Sequence, residues 1–212
     1  MTVLEVAAGR CLRFASTGRP HRPIIHHPMH PQEKRRIYQQ CRSRILAMIT
    51  GEDDEIAVMA TVVAELFHAF AHFHWVGYYR VVRPGLLKVG PYQGGHGCLS
   101  IPFGRGVCGR CARDKTTQVV ADVTRLPYHI ACSSATRSEI VVPLLGARGR
   151  VCAVLDIDSD LPAAFDALDR EELETLAADV RGVLYPGVGG RRLRGGAAER
   201  KNQQEERAEH GV

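Results

Sequence analysis

Seven cysteines and three acids carry most of the chemistry this chain could do. Cys108 and Cys111 stand three apart in GVCGRCARD as a C-x-x-C, the spacing of a redox dithiol or of half a zinc site. No second C-x-x-C or H-x-x-x-H pair follows at finger-like spacing, which argues against zinc. His68 and His72 stand at i, i+4, but AFA lies between them, so the glutamate of a zincin helix is missing. In RVCAVLDID, strand alternation puts Cys152, Val154, Asp156 and Asp158 on one face. Glu139 begins the preceding strand, and an antiparallel hairpin brings that start beside the end carrying Asp156 and Asp158. Three carboxyls so grouped repel, which raises at least one pKa. A carboxyl held protonated near neutral pH can give its proton to a substrate oxygen. Solvated acids at a sheet end, or acids around a cation, fit the same pattern. Cys132 in YHIACSSATRSE, beside those acids and His129, is a candidate nucleophile or a small buried apolar residue. Cys98 shares a strand face with His96 and Ser100. Trp75 and Tyr79 share another, where they could cradle a sulfur or a cation, or pack the core.

The elements that must position these residues follow from periodicity. PQEKRRIYQQCRSRILAMI predicts a helix from Pro31, with Ile37, Cys41, Ile45 and Met48 along one face, ended by Gly51. Asp53 and Asp54 open a second helix to about Phe73, with Ile56, Val63, Phe67 and Phe70 as apolar positions. Strands are predicted at 74–82, 86–90, 98–101, 117–123, 138–145 and 150–158. A short helix covers 106–115, and 124–135 is irregular. A last helix starts at Asp166 or Asp169 and runs to about Tyr185. The fold class is therefore α+β: a central, mostly antiparallel sheet of about six strands flanked by helices. Residues 1–30 read as a disordered N-terminal extension, 31–185 as the folded domain and 186–212 as a disordered C-terminal tail.

Bulk properties narrow the classes of function. The net charge is +5, but residues 1–36 hold seven Lys/Arg against two acids, and 186–212 hold six against four. The body from 37 to 185 keeps 15 basic and 17 acidic residues, so it shows no polyanion footprint and no nucleic-acid partner is expected. No apolar run approaches a membrane span, and the N-terminus lacks the apolar core of a secretory signal. The expected location is cytoplasmic, with reduced thiols, so a disulfide here would be catalytic rather than structural.

Six segments occur in one order: WVGYYRV (75–81), VGPYQG (89–94), IPFGRGVCG (101–109), HIAC (129–132), SEIVVP (138–143) and VLDIDS (154–159). In combination they resemble the free methionine-(R)-sulfoxide reductases, which are built on a GAF domain, and the resemblance spans roughly 31–184. It implies a single GAF-like catalytic domain and reduction of free L-methionine-(R)-sulfoxide. A thiolate becomes a sulfenic acid, an intramolecular disulfide follows, and a thioredoxin-like reductant restores the thiols. It implies Cys132 as nucleophile, Cys98 as resolving thiol and Cys108 as a second recycling thiol. Glu139, Asp156 and Asp158 match the acids around the sulfoxide oxygen, and Trp75 and Tyr79 match the aromatic wall. No cofactor and no metal are implied, and a homodimer is compatible. Cys108 belongs to the family segment and Cys111 does not, so Cys111 reads as a bystander rather than an accessory redox partner. The rival reading is a GAF-type sensory module that binds a small ligand without catalysis. Such a module normally needs an output domain, for which 37–185 leaves no room.

Overall fold

The structure is a computed structural model, and it describes residues 29–127 and 133–186. Helix α1 (Pro31–Ile49) and helix α2 (Glu55–Ala69) lead into strands β1 (Trp75–Arg83), β2 (Leu86–Gln93) and β3 (Ser100–Pro102). Helix α3 (Gly106–Asp114), strand β4 (Gln118–Val120), strands β5 (Ser138–Leu145) and β6 (Val151–Ser159), and helix α4 (Ala167–Leu184) complete the order. All six strands form one antiparallel sheet in the order β3-β2-β1-β6-β5-β4.

One sheet face lies under α2 and α4, which are covered in turn by α1. The α1 stripe that reaches this core is Tyr38, Cys41, Ile45 and Ile49. The expected stripe is thus rotated: Met48 is 53% exposed, and Ile37 is only half-buried. In α2 the buried set is Val58, Met59, Val62, Val63 and Leu66, while Ile56 is exposed. Charge enters this layer only in pairs. The buried Lys34 ammonium bonds Asp169 and, at 3.0 Å, Asp166; the Tyr38 hydroxyl donates to Asp169 at 2.7 Å. Asp166 also caps α4, accepting from the Leu168 and Asp169 N–H groups, and Asp169 returns the bond to the Asp166 N–H, a reciprocal cap.

Among the described residues, α3 is the helix that covers the opposite face, and it contacts β3, β4, β5 and β6. Its apolar layer joins Trp75, Tyr79, Leu87, Ile101, Val107, Cys108, Cys111, Val141 and Val154. Two predicted strands are shorter than expected. β3 begins at Ser100, so Cys98 sits in the loop before it, and β4 keeps three residues at the sheet edge.

Candidate active site

Cross-strand register builds the site in rows. Trp75 of β1 faces Asp158 of β6, which faces Glu139 of β5. One row on, Gly77 faces Asp156, which faces Val141. Tyr79 then pairs with Val154. Partners directly opposite share a sheet face, so the three acids meet at the sheet end where β1 begins and β6 finishes. They line a pocket of about 470 Å³, its open mouth included, with Trp75, Tyr79 and Cys108. Sequence reasoning thus named residues that the fold does bring together.

Cys152 is a correction. Leu144 pairs with Ala153 but Leu145 pairs with Val151, so Cys152 is an extra residue in a bulge. The bulge puts Val151, not Cys152, with the layer that holds Val154. Cys152 instead lies near Gly146 and Tyr185, away from the acids.

The aromatic wall depends on two missing side chains. Trp75 and Tyr79 stack with centroids 5.8 Å apart, and Trp75 stacks on Tyr92 at 5.5 Å. A Cβ at Gly77 would lie 2.4 Å from the Trp75 ring, so only glycine lets the indole lie back over the sheet. At Gly97 a Cβ would lie 2.9 Å from the same ring and 3.0 Å from the Tyr79 hydroxyl. The loop is also pinned by the Trp75 indole N–H, which donates to the Gly95 carbonyl at 3.1 Å, and by the Cys98 N–H, which bonds the Tyr79 hydroxyl oxygen. The wall therefore fixes the Cys98 backbone. Neither glycine was legible as a site residue from its spacing, nor were His96, Ser133 and Thr136, which also line the pocket.

The electrostatics are those of buried acids without a lysine or arginine among the lining residues. Glu139 and Asp156 are each 5% exposed. Burial, then the charges of Asp156 and Asp158, push the Glu139 carboxyl well above its usual range. Burial pushes Asp156 up to about 7, despite hydrogen bonds from its neighbours. Asp158, half-buried at the rim, is raised by burial and by Asp156. The Cys108 thiol donates to Glu139 Oε1 at 3.8 Å, and burial beside Asp156 and Glu139 raises its pKa strongly. The Cys108 sulfur and one oxygen each of Glu139 and Asp156 lie within 4.8 Å of one another, a spacing that a divalent ion or shared protons would satisfy. Burial and mutual repulsion thus favour the protonated form of these carboxyls.

Cys111 does not join Cys108. Its thiol points to the Val141 carbonyl at 3.5 Å, and both cysteines are free. Cys98 is disulfide-bonded. Among the described residues, Cys41, Cys108, Cys111 and Cys152 are free thiols, and Cys132 and His129 lie outside the described residues. His68 is exposed on α2, its Nδ1 at 2.6 Å from the Ala64 carbonyl, as a surface residue rather than a ligand.

The antiparallel sheet, helical on both faces, with a pocket under the lone α3, is that of a GAF domain, and residues 52–184 match the GAF domain family. The chain is 43% identical, with a TM-score of 0.68, to the X-ray structure of free methionine-R-sulfoxide reductase from Neisseria meningitidis in complex with its substrate; 71% of this chain and 90% of that one are covered. It is 34% identical over 169 residues to the free methionine-R-sulfoxide reductase of Saccharomyces cerevisiae, covering 77% of this chain and 93% of the yeast protein. It is 42% identical over 140 residues to GAF domain-containing protein A of Dictyostelium discoideum, covering 66% of this chain and 87% of that protein. Within the GAF-domain class, the chain belongs to the free methionine-R-sulfoxide reductase family. No helix among the described residues is long and apolar enough to cross a membrane.

Proposed function

We propose that this chain reduces free L-methionine-(R)-sulfoxide to methionine, with Cys132 as nucleophile and Cys98 as resolving thiol. The observation that carries this reading is the set of three carboxyls whose pKa values burial raises, beside an indole wall. The substrate's methyl and sulfur rest on Trp75, and its oxygen faces Glu139, Asp156 and Asp158. The Cys132 thiolate attacks the sulfoxide sulfur, forming an S–S bond, while a carboxyl proton goes to the oxygen. The hydroxyl then passes to the Cys132 sulfur: a Cys132 S–O bond forms as the substrate S–O bond and the S–S bond break. Methionine sulfur gains two electrons, and Cys132 becomes a sulfenic acid. The Cys98 thiolate then attacks that sulfur, forming the disulfide and releasing hydroxide, which takes up a proton as water. A dithiol of the thioredoxin class restores both thiols by exchange.

Two features support the assignment of roles. Cys98 is disulfide-bonded, which suits a thiol that is oxidised during turnover. Cys108 has a pKa raised by burial and neighbouring acids, which argues against it as the thiolate that attacks the sulfoxide. The substrate carboxylate has a ready site at the start of α3. Gly106 and Val107 line the pocket, Arg105 supplies no side-chain cap, and the first N–H groups of a helix have no carbonyl behind them. Thiol recycling of this kind fits a reducing compartment, the cytoplasm.

The test is methionine release, with dithiothreitol, from free methionine-R-sulfoxide, free methionine-S-sulfoxide and a peptide-bound R-sulfoxide. Release from the free R form alone is expected. No release by folded, reduced protein would leave a ligand-binding GAF domain without catalysis.

A further inference from the structure

We infer that the end of the sheet opposite the acids holds a second binding site, for a compact polyphosphate group. There a groove of about 1460 Å³, its open mouth included, runs between the last residues of β1, the end of α3 and the β5–β6 hairpin. Arg80, Arg83, Lys115, Arg148 and Arg150 line it, and none of them meets a carboxylate among the described residues. A sixth cation, Arg113, is held by Asp114 at 2.7 Å. The single acid in the lining, Glu55, is occupied by the Tyr185 hydroxyl at 2.6 Å.

This grouping does not follow from composition, because residues 37–185 have two more acids than bases. It does not follow from how the chain treats arginine elsewhere either. Arg35, Arg36, Arg42, Arg44, Arg125 and Arg170 each reach a carboxylate. Of the described arginines and lysines that reach no carboxylate, Arg80, Arg83, Lys115, Arg148 and Arg150 gather at this groove, while Lys88, Arg105 and Arg137 lie outside it. Arg80 adds a second observation: its Nε is shut from solvent without a hydrogen-bond partner. A buried guanidinium N–H left unmatched costs free energy that an acceptor would recover. Five cations lining one groove raise its potential, which an anion of several charges lowers. Guanidinium groups pair with phosphate oxygens in bidentate fashion, which favours phosphates over a lone carboxylate. The groove is separated from the acid pocket by the length of β1, since Arg83 ends the strand that Trp75 begins. It therefore does not depend on the sulfoxide chemistry.

Calorimetric titration of the full chain with inorganic tripolyphosphate at low salt tests the site, with ATP as a second arm. One-to-one binding that weakens steeply with salt is expected. Arg83 and Arg150 are exposed, so Arg83→Ala/Arg150→Ala should melt like the parent and lose about tenfold or more in affinity. Arg36→Ala, an exposed cation on α1 outside the groove, should change affinity less than about twofold. Binding of ATP no tighter than tripolyphosphate assigns the site to phosphates alone; tighter ATP binding adds a nucleoside contact to it. Absence of binding heat at millimolar tripolyphosphate, or an equal loss from Arg36→Ala, would overturn the proposal.

Discussion

Under α1, α2 and α4 the protein buries Ile45, Leu66, Tyr78 and Leu155, and the buried Lys34 sits between two aspartates. Under α3 it buries Glu139 and Asp156 beside a thiol, with no lysine or arginine in the lining. Both faces thus hold buried acids, and the neutralising partner differs. On the first it is a cation fixed by the fold, so Asp169 serves as structure. On the second it is a proton, which can be given away. A buried carboxylate that lacks a counter-charge keeps its proton to higher pH. The comparison separates an acid used for stability from acids available for chemistry.

Removing the structural acid should have the largest effect. Asp169→Ala strands the buried Lys34 ammonium and the Tyr38 hydroxyl, and is expected to cost about 3–5 kcal/mol in denaturant unfolding. Methionine release per folded molecule should stay near that of the parent. A loss of catalysis without a loss of stability would erase the distinction between the faces.

The acids of the pocket should act on stability with the opposite sign. The Asp156 pKa is raised in the fold from 3.8 to about 7, so its favourable contribution is complete below about pH 4 and lost as pH rises through about 7. Melting temperature should fall across that window. Asp156→Asn should flatten the fall, gaining up to about 4 kcal/mol at alkaline pH while slowing methionine release. Melting curves against pH for the two proteins provide the check.

Smaller effects probe how the site face is shaped. Gly97→Ala pushes a methyl against Trp75 and the Tyr79 hydroxyl, and should raise KM about fivefold, on the order of 1 kcal/mol. An unchanged KM would remove the indole wall from substrate binding. Cys111→Ala should change kcat/KM by less than about twofold, because the thiol points to the Val141 carbonyl and not to Cys108. A large drop in steady-state turnover would return the C-x-x-C to the redox chemistry.

Much of this arrangement is legible in the chain, for reasons that can be named. Strand alternation and a hairpin suffice to bring Glu139, Asp156 and Asp158 together, because register is a property of the backbone. Asp54 and Asp166 cap helices where acids are expected to. The Cys152 bulge was not legible, since one extra residue reverses the facing without changing the residue pattern. The rotation of the α1 stripe has a similar origin: Lys34 and Tyr38 count as polar in a hydrophobic pattern, yet Asp169 makes their burial favourable. Gly77 and Gly97 act through the space they leave, which spacing alone does not reveal. The basic groove joins residues distant in the chain whose charges disappear into a near-neutral total.

Protonated carboxyls at neutral pH are what separate the site face from the rest of the protein. Infrared titration of the carboxyl bands of the reduced protein, between about pH 5 and 9, reads them directly. A protonated-carboxyl band is expected that persists at neutral pH, declines as pH rises through about 7, and weakens in Asp156→Asn. Complete loss of that band by about pH 5, the behaviour of ordinary solvated carboxylates, would contradict it.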